Sequence, residues 1–351
     1  MQLNKIITLA SFFVFASALA FTQKVDTTYI NTINQQSFDL RESNPDSCKL
    51  LAEEAIRLSE KINYTRGLGD AYTRLGLLEK NKGNYTGAIT YYKKSLSYRK
   101  QLNKPEQLAG TYSNIGNAYH NAAQFDSAIY YHLESIKIAE ALNNTKLIIK
   151  YYGCLAVAYQ KNESTEEALK YYTISYDYAL KTGNPNDLLL PTINLSSLYI
   201  DINNPRKAIS YLLNVVKNNP DIPAADDLGN IYNNLGTAYN NLNIEDSALY
   251  YFEAAKEIFE VEELPELGVC LSNMGILYFK TGNAEKAKQY LKNSNTLLLK
   301  ANRLEVVEDN YLYLSGVYSN QGLFDSAELM MQLHIIYRDS VFNQEKQAKI
   351  S

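Results

Sequence analysis

Residues 232–248, with the sequence YNNLGTAYNNLNIEDSA, contain the pattern that decides the fold. Tyr232, Gly236 and Tyr239 follow one another at intervals of four and three residues, which places all three on one face of a helix. A mostly polar run then interrupts the pattern. Asp246 precedes a second small residue, and an acidic side chain is favoured at a helix start, where it faces unpaired N–H groups. The segment therefore predicts two amphipathic helices joined by a short turn.

The same pattern recurs along the chain at intervals of 40 residues, with one interval of 39. The small residue of the second helix is Cys48, Ala88, Ala128, Ala168, Ala208, Ala248, Ala287 and Ala327. Twelve residues earlier, the small residue of the first helix is Gly76, Gly116, Ala156, Ser196, Gly236, Gly275 and Ser315. Three residues after that comes an aromatic residue, at Tyr119, Tyr159, Tyr199, Tyr239, Tyr278 and Tyr318. This register predicts an all-α fold of about eight stacked helix-turn-helix units, starting near residues 29, 69, 109, 149, 189, 229, 268 and 308.

Two units show the motif most clearly, as Tyr112…Ile115-Gly116…Tyr119…Ala128 and Tyr232…Leu235-Gly236…Tyr239…Ala248. The motif resembles that of the tetratricopeptide repeat (TPR) family, over about residues 29–338. The interval of 40 residues exceeds the usual 34 and is similar to that of the long-repeat TPR subgroup. The resemblance implies a right-handed α-solenoid with a degenerate capping unit at residues 29–68. It also implies a concave surface, built from the first helix of each unit, that binds other proteins.

The resemblance singles out the position two residues before the small residue of the first helix. That position is occupied by Arg74, Asn114, Cys154, Asn194, Asn234, Asn273 and Tyr313. In superhelical TPR proteins an Asn here hydrogen-bonds the main chain of an extended peptide, since an amide offers both donor and acceptor. Alternatively, these Asn side chains only tie neighbouring helices together, and the sequence leaves both interpretations open. The candidate peptide-binding residues of the concave face are Asn114, Asn117, Asn194, Asn230, Asn233, Asn234, Thr237 and Asn273.

The candidate surface is mostly uncharged. Some TPR domains grip a C-terminal carboxylate with a set of Lys and Arg side chains, and here Lys150 and Lys161 are isolated. We therefore expect the partner to be a protein segment or extended peptide of neutral, polar character.

The N-terminus has the composition of a secretory signal peptide. The basic start at Lys5 is followed by an apolar run over residues 6–20 that ends in Ala-Leu-Ala, a pattern that signal peptidases cut. We predict a signal peptide over residues 1–20, a short segment over residues 21–28, and an exported chain that is periplasmic or secreted. The alternative is an uncleaved N-terminal segment that anchors the chain in a membrane.

The C-terminal end is too apolar to close a solenoid, which needs a polar cap. The second helix expected over residues 325–337 is apolar on its outer side, and a separate capping or linker helix is predicted over residues 339–351. The latter segment resembles a junction in bacterial sensor proteins that leads into a membrane span and a histidine-kinase or helix-turn-helix module. Two functions are therefore considered. One is an exported, non-catalytic scaffold that binds protein or peptide, and the other is the periplasmic sensory region of a signal-transduction protein, whose membrane-anchored output module lies in the same or another chain.

Composition disfavours other classes of function. The 351 residues carry a formal net charge of −4 with scattered charges, whereas nucleic-acid binders need clustered Lys and Arg. Phosphate-loop, zinc and nucleophile motifs are missing from the sequence, so we expect no enzyme, catalytic residue, cofactor or metal. Cys48, Cys154 and Cys270 each fall in an apolar helical stretch and are expected to be buried and unpaired. The 30 Tyr are expected to fill spaces between helices.

Overall fold

The computed structural model describes residues 26–219, 222 and 225–350. Over these residues the chain forms sixteen α-helices and no β-strand, which confirms the all-α fold of eight helix-turn-helix repeats. A 3₁₀ turn at Pro185–Leu188 precedes the ninth helix. The helices are α1 (Thr27–Asp39), α2 (Pro45–Lys61), α3 (Thr65–Asn81), α4 (Tyr85–Arg99), α5 (Pro105–Asn121), α6 (Phe125–Ala141), α7 (Thr145–Lys161), α8 (Thr165–Lys181), α9 (Leu189–Asp201), α10 (Pro205–Asn218), α11 (Ala225–Asn241), α12 (Glu245–Val261), α13 (Leu267–Lys280), α14 (Ala284–Lys300), α15 (Leu304–Asn320) and α16 (Phe324–Ile350).

The chain divides into two compact units, residues 1–118 and 119–351, and the boundary lies within α5. In each unit the two helices of a hairpin pack against each other, and the second helix packs against the first helix of the next hairpin. In the second unit the successive first helices also contact one another. Each hairpin therefore buries its apolar sides by stacking on its neighbours, as in other repeat proteins.

The turns between helices are as regular as the helices. A residue with positive φ ends a helix at Asn63, Gly83, Ala123, Asn143, Glu163, Gly183, Asn203, Asn243, Glu263, Gly282, Asn302 and Gly322. Nine of these twelve are Gly or Asn, the residues that adopt left-handed backbone most readily at a helix C-terminus. After three of the turns, Asn84, Asn144 and Asn283 accept a hydrogen bond from the N–H three residues ahead and so cap the next helix.

Small residues of the first helices permit close packing against their own second helix. A Cβ atom built on Gly236 would lie 2.5 Å from the Phe252 ring, and one on Gly275 would lie 2.6 Å from Leu291. Phe252 and Leu291 are fully buried, because the next first helix covers them from the other side. The repeating small residue is therefore the feature that sets the distance between the two helices of a hairpin.

The structure corrects two predicted boundaries. The first helices of five hairpins begin at residues 65, 105, 145, 225 and 304, four residues before the predicted starts at 69, 109, 149, 229 and 308, because polar residues at the start of each helix carry no apolar signal. The separate C-terminal helix predicted over residues 339–351 is wrong. α16 continues without interruption through Ile350, since no Gly or Pro ends it after residue 337.

The predicted signal peptide at residues 1–20 lies outside the described residues. Within residues 26–219, 222 and 225–350, none of the helices combines the length and the apolar character needed to cross a bilayer.

Candidate functional site

The first helices of the second unit form a continuous surface. α7, α9, α11, α13 and α15 follow one another, and each contacts the next. We define the first-helix face as the side of these helices on which six of the predicted residues lie. These are Asn194 on α9, Asn230, Asn233, Asn234 and Thr237 on α11, and Asn273 on α13, all partly buried. The other two predicted residues, Asn114 and Asn117, lie on α5 in the first unit and are also partly buried.

Two of the six side chains tie neighbouring first helices together. Asn234 Nδ2 donates to the carbonyl oxygen of Ile193 at 3.3 Å and to Ser196 Oγ at 3.4 Å. Asn273 Nδ2 donates to Asn233 Oδ1 at 3.0 Å. In both cases the acceptor belongs to the preceding first helix, so the amide spans the gap between hairpins. The tying role that the sequence left open is therefore present at these two positions.

The same position has a tying role in the first unit. Arg74 Nε donates to the carbonyl oxygen of Asn34 at 3.3 Å, and its guanidinium lies 4.4 Å from the centre of the Phe38 ring. Arginine therefore replaces the amide as the link between first helices there.

Hydrogen-bonding capacity remains on the first-helix face. Asn194 and Asn230 form no hydrogen bond with another described residue, and the Asn234 amide uses only its donor end. An amide side chain has two donor hydrogens and an oxygen acceptor with two lone pairs. The face can therefore pair with both the N–H and the C=O groups of an extended chain.

Apolar residues lie among the amides, and sequence reasoning missed them. Leu190 is 57% exposed and Leu312 is 42% exposed, both on first helices. The repeat register was the available signal, since Leu190 stands one 40-residue interval before Asn230, and Leu312 two intervals after Asn233. The face is consequently uncharged but only partly polar, which corrects the expectation of a purely polar surface.

A second missed feature is a row of tyrosines on the second helices, at Tyr91, Tyr131, Tyr171, Tyr211, Tyr251 and Tyr290. Five of these stack on the aromatic residue of the first helix in the same repeat, in the pairs Tyr119–Tyr131, Tyr159–Tyr171, Tyr199–Tyr211, Tyr239–Tyr251 and Tyr278–Tyr290. Ring centres lie 5.3–5.7 Å apart with planes within 20°, a favourable stacking geometry. The stacks fix the rotation of each first helix and explain much of the high Tyr content.

A polar chain links the helices beside the first-helix face. Tyr172 Oη on α8 donates to Gln160 Oε1 on α7 at 2.8 Å, and Gln160 Nε2 donates to Asp201 Oδ2 on α9 at 2.9 Å. The chain crosses from one hairpin to the next, so it fixes α9 against α7. Burial raises the pKa of Tyr172, which therefore keeps its donor hydrogen.

Two histidines lie close to each other in the third hairpin. His132 is 1% exposed, and its Nδ1 has no hydrogen-bond partner among the described residues. Burial lowers the pKa of His132 to about 4, and the nearby His120 lowers it further. The pKa of His120 is lowered by burial and by Lys161. Both rings are therefore neutral at pH 7, and over the described part of the chain no three His, Cys, Asp or Glu are grouped to hold a metal ion.

Cys48 and Cys270 are buried and unpaired, as expected, and burial raises the pKa of the Cys270 thiol to about 12. Cys154 is unpaired but only partly buried, which corrects the expectation for this residue. It lies at the Asn234 position of α7, where a first helix meets solvent.

Comparison with known proteins supports the repeat assignment. Two family models, both described as tetratricopeptide repeat, match the chain, one over residues 67–141 and the other over residues 193–222 and 270–297. None of the curated protein sequences matches.

Several solved structures share the fold. The apo form of the quorum sensor NprR from B. thuringiensis aligns with a TM-score of 0.69 and 16% identity, over 96% of this chain and 95% of its own. Aspartyl phosphate phosphatase F from Bacillus subtilis gives 0.68 and 14%, over 91% and 96%. A Rap protein in complex with competence and sporulation factor gives 0.54 and 13%, over 91% and 100%. At these identities the likeness concerns the fold, and with the matched models and the repeated motif it shows that the chain is a tetratricopeptide repeat protein with repeats of about 40 residues.

Proposed function

We propose that this TPR protein is a non-catalytic scaffold that binds a protein segment or an extended peptide on the first-helix face of its second unit. The observation that carries the proposal is the grouping of uncharged amides on α9, α11 and α13, where Asn194 and Asn230 have no partner among the described residues. An extended peptide presents N–H and C=O groups along its length, and amide side chains pair with both.

The apolar residues of the face refine the expected ligand. Leu190 and Leu312 are exposed beside the amides and can bury apolar side chains of a ligand. The face of the described first helices bears few charges, so a strongly acidic or basic ligand would gain little from it. We therefore propose a ligand with neutral, partly apolar side chains.

The solved structures support the proposal only through their fold. One of them contains a Rap protein bound to competence and sporulation factor, and another is of a quorum sensor. These descriptions are consistent with a TPR solenoid that binds a signal molecule. The phosphatase name belongs to the Bacillus subtilis protein, and shared fold at 14% identity does not bring that activity to this chain.

The test uses peptides selected for binding to the purified chain from a library of random linear peptides. Because Asn194 and Asn230 carry no helix-to-helix tie, we expect Asn194→Ala with Asn230→Ala to weaken binding of a selected peptide by about tenfold, the loss of roughly one to two hydrogen bonds, with helicity unchanged. Asn293→Ala, on the exposed side of α14, is the matched control and should leave the affinity unchanged. Equal affinity in the double variant and the control would contradict the proposed site.

A second candidate function is the sensory region of an exported signal-transduction protein. The observation that favours it is the length of α16, whose 27 residues continue well past the end of its partner α15 with 17. A helix that leaves the last hairpin can connect a sensing part to an output module. Export rests on the signal-peptide pattern of residues 1–20.

Two measurements test this second candidate. Expression of the chain with its native N-terminus, followed by fractionation and intact mass, should find it outside the cytoplasm and cleaved after Ala20. The sequence of the gene beyond the Ser351 codon should encode an apolar span and an output module. Retention in the cytoplasm would contradict export, and a stop codon directly after Ser351 would contradict a sensor with its output in the same chain.

A further inference from the structure

The last hairpin leaves open a face that earlier second helices bury. Four residues after the small residue of the second helix, the side chain is at most 2% exposed in hairpins two to seven. These residues are Tyr92, His132, Tyr172, Leu212, Phe252 and Leu291. In α16 the corresponding residue is Met331, which is 38% exposed, and Ile335 one turn later is 40% exposed. Within the described residues no further first helix covers α16, so its apolar residues contact solvent.

The open residues form a straight line along α16. An α-helix advances by 100° per residue, so residues spaced by three, four or seven share one side. Phe324, Glu328, Met331, Ile335, Arg338 and Phe342 follow this spacing, and all six are exposed. We call them the α16 seam. Phe324 and Phe342 at its two ends are the most exposed of its apolar members, at 70% and 63%.

The seam is symmetric about residue 333. Phe324 and Phe342 lie nine residues on either side of it, Glu328 and Arg338 five, and Met331 and Ile335 two. An antiparallel copy of the helix, related by a twofold axis at residue 333, therefore sets each member against its counterpart. Aromatic faces aromatic, aliphatic faces aliphatic, and the carboxylate faces the guanidinium.

We propose that the α16 seam is a homodimer interface on which a second copy of this chain packs its own α16 in antiparallel orientation. The contact is isologous, since the same patch is used by both copies. It buries four large apolar side chains per copy, and it forms two ion pairs between Glu328 of one copy and Arg338 of the other.

The charges decide between a second copy and other occupants. In the single chain Glu328 contacts only Gln332 of its own helix, and Arg338 pairs with the adjacent Asp339 at 3.2 Å, so both charged groups are open to a partner. A lipid surface would have to desolvate both of them. A parallel arrangement of two copies would set Glu328 against Glu328 and Arg338 against Arg338. The antiparallel pair of identical helices is the arrangement that neutralises both.

Charge reversal in the full chain tests the proposal by sedimentation equilibrium. The native protein should dimerise, and E328R or R338E alone should raise the dimer dissociation constant by about tenfold or more, because each places like charges together. The combined variant E328R with R338E should restore the native constant, because the pairs re-form with exchanged signs. A native chain that stays monomeric, or a combined variant as weak as either single one, would overturn the proposal.

A neighbouring pair of variants separates the seam from general surface stickiness. Ile335→Arg lies on the seam and should abolish the dimer, whereas Ile336→Arg, 58% exposed but turned 100° away, should leave it intact. Equal effects of the two would show that the seam is not the interface.

A distance measurement checks the orientation. With spin labels at Asn343→Cys in a Cys154→Ala background, an antiparallel pair centred on residue 333 separates the two labels by about 30 Å along the helix axis, at 1.5 Å per residue. A parallel pair would hold the labels about 10 Å apart, the ordinary distance between packed helices, and would overturn the proposed geometry.

Discussion

At residue 236, one hydrogen in place of a methyl group decides how closely α11 approaches α12. The Cβ of Gly236→Ala would lie 2.5 Å from the buried ring of Phe252, so the two helices must move apart. We expect this variant to lower the free energy of unfolding by about 1–3 kcal/mol, measured by urea denaturation. The matched control is Gly153→Ala, whose Cβ meets only Ser175 Oγ at 3.9 Å. It should stabilise by up to about 1 kcal/mol because Ala favours the helix, and a loss in both variants would contradict this account.

His132 makes stability depend on pH through a buried neutral ring. Its pKa is about 4 in the folded chain, compared with about 6.5 when unfolded, so between these values only the unfolded chain takes up the proton. The free energy of unfolding should therefore fall as the pH drops from about 6.5 to about 4, by up to about 3 kcal/mol from this residue. His132→Tyr places the residue found at Tyr92 and Tyr172 and should remove that part of the pH dependence. Equal pH profiles of urea denaturation for the native and variant chains would contradict the assignment.

The candidate site shows how far single residues could be predicted. The position of the Asn row followed from the 40-residue spacing, and six of its predicted members lie on the first-helix face of one unit. Which amides are occupied could not be predicted. Asn234 reaches Ile193 only because α9 and α11 lie close together, and the spacing of side chains along one helix contains no information on the distance to the next helix.

At the level of elements, the stacked tyrosine pair is the unit that orients each first helix. Tyr239 and Tyr251 lie 5.6 Å apart with nearly parallel rings, and each replacement by Leu removes the stack. A double-mutant cycle of Tyr239→Leu and Tyr251→Leu should give a coupling energy of about 0.5–1.5 kcal/mol in favour of the pair. Tyr250, 69% exposed, provides the control, because Tyr250→Leu combined with Tyr239→Leu should be additive. Additive losses in both cycles would mean that the rings only fill space.

The elements themselves were predictable to different degrees. Helix pairs and their turns followed from small residues and from Gly or Asn, and positive φ values at Gly83, Asn143 and Gly282 confirm three predicted turns. The tyrosine row of the second helices was visible in the sequence at the same interval and was overlooked. The extent of α16 was predicted wrongly, because a polar segment after an apolar one was taken as a new element although no helix-ending residue separates them.

At the scale of the whole molecule, the proposed dimer and the sensor candidate exclude each other in their simplest forms. An antiparallel α16 pair points the two C-terminal helix ends in opposite directions. Two chains that continue from α16 into one membrane need both ends on the same side. A dimer with labels about 30 Å apart would therefore favour the free scaffold, since 20 residues separate the labelled positions along the helix axis.

A solenoid also differs from a globular domain in how damage spreads. Phe252 is fully buried between α12 and α13, and Phe252→Ala should cost about 3–5 kcal/mol by leaving a cavity. Because each hairpin contacts only its neighbours, amide protection should fall in α11 to α14 and persist in α7 and α8, as hydrogen exchange with mass spectrometry would measure. Tyr250→Ala, two residues away on the exposed side, should change neither region. A uniform loss of protection from α7 to α16 would show one cooperative core, and stacking between neighbours would then not be the basis of stability in this unit.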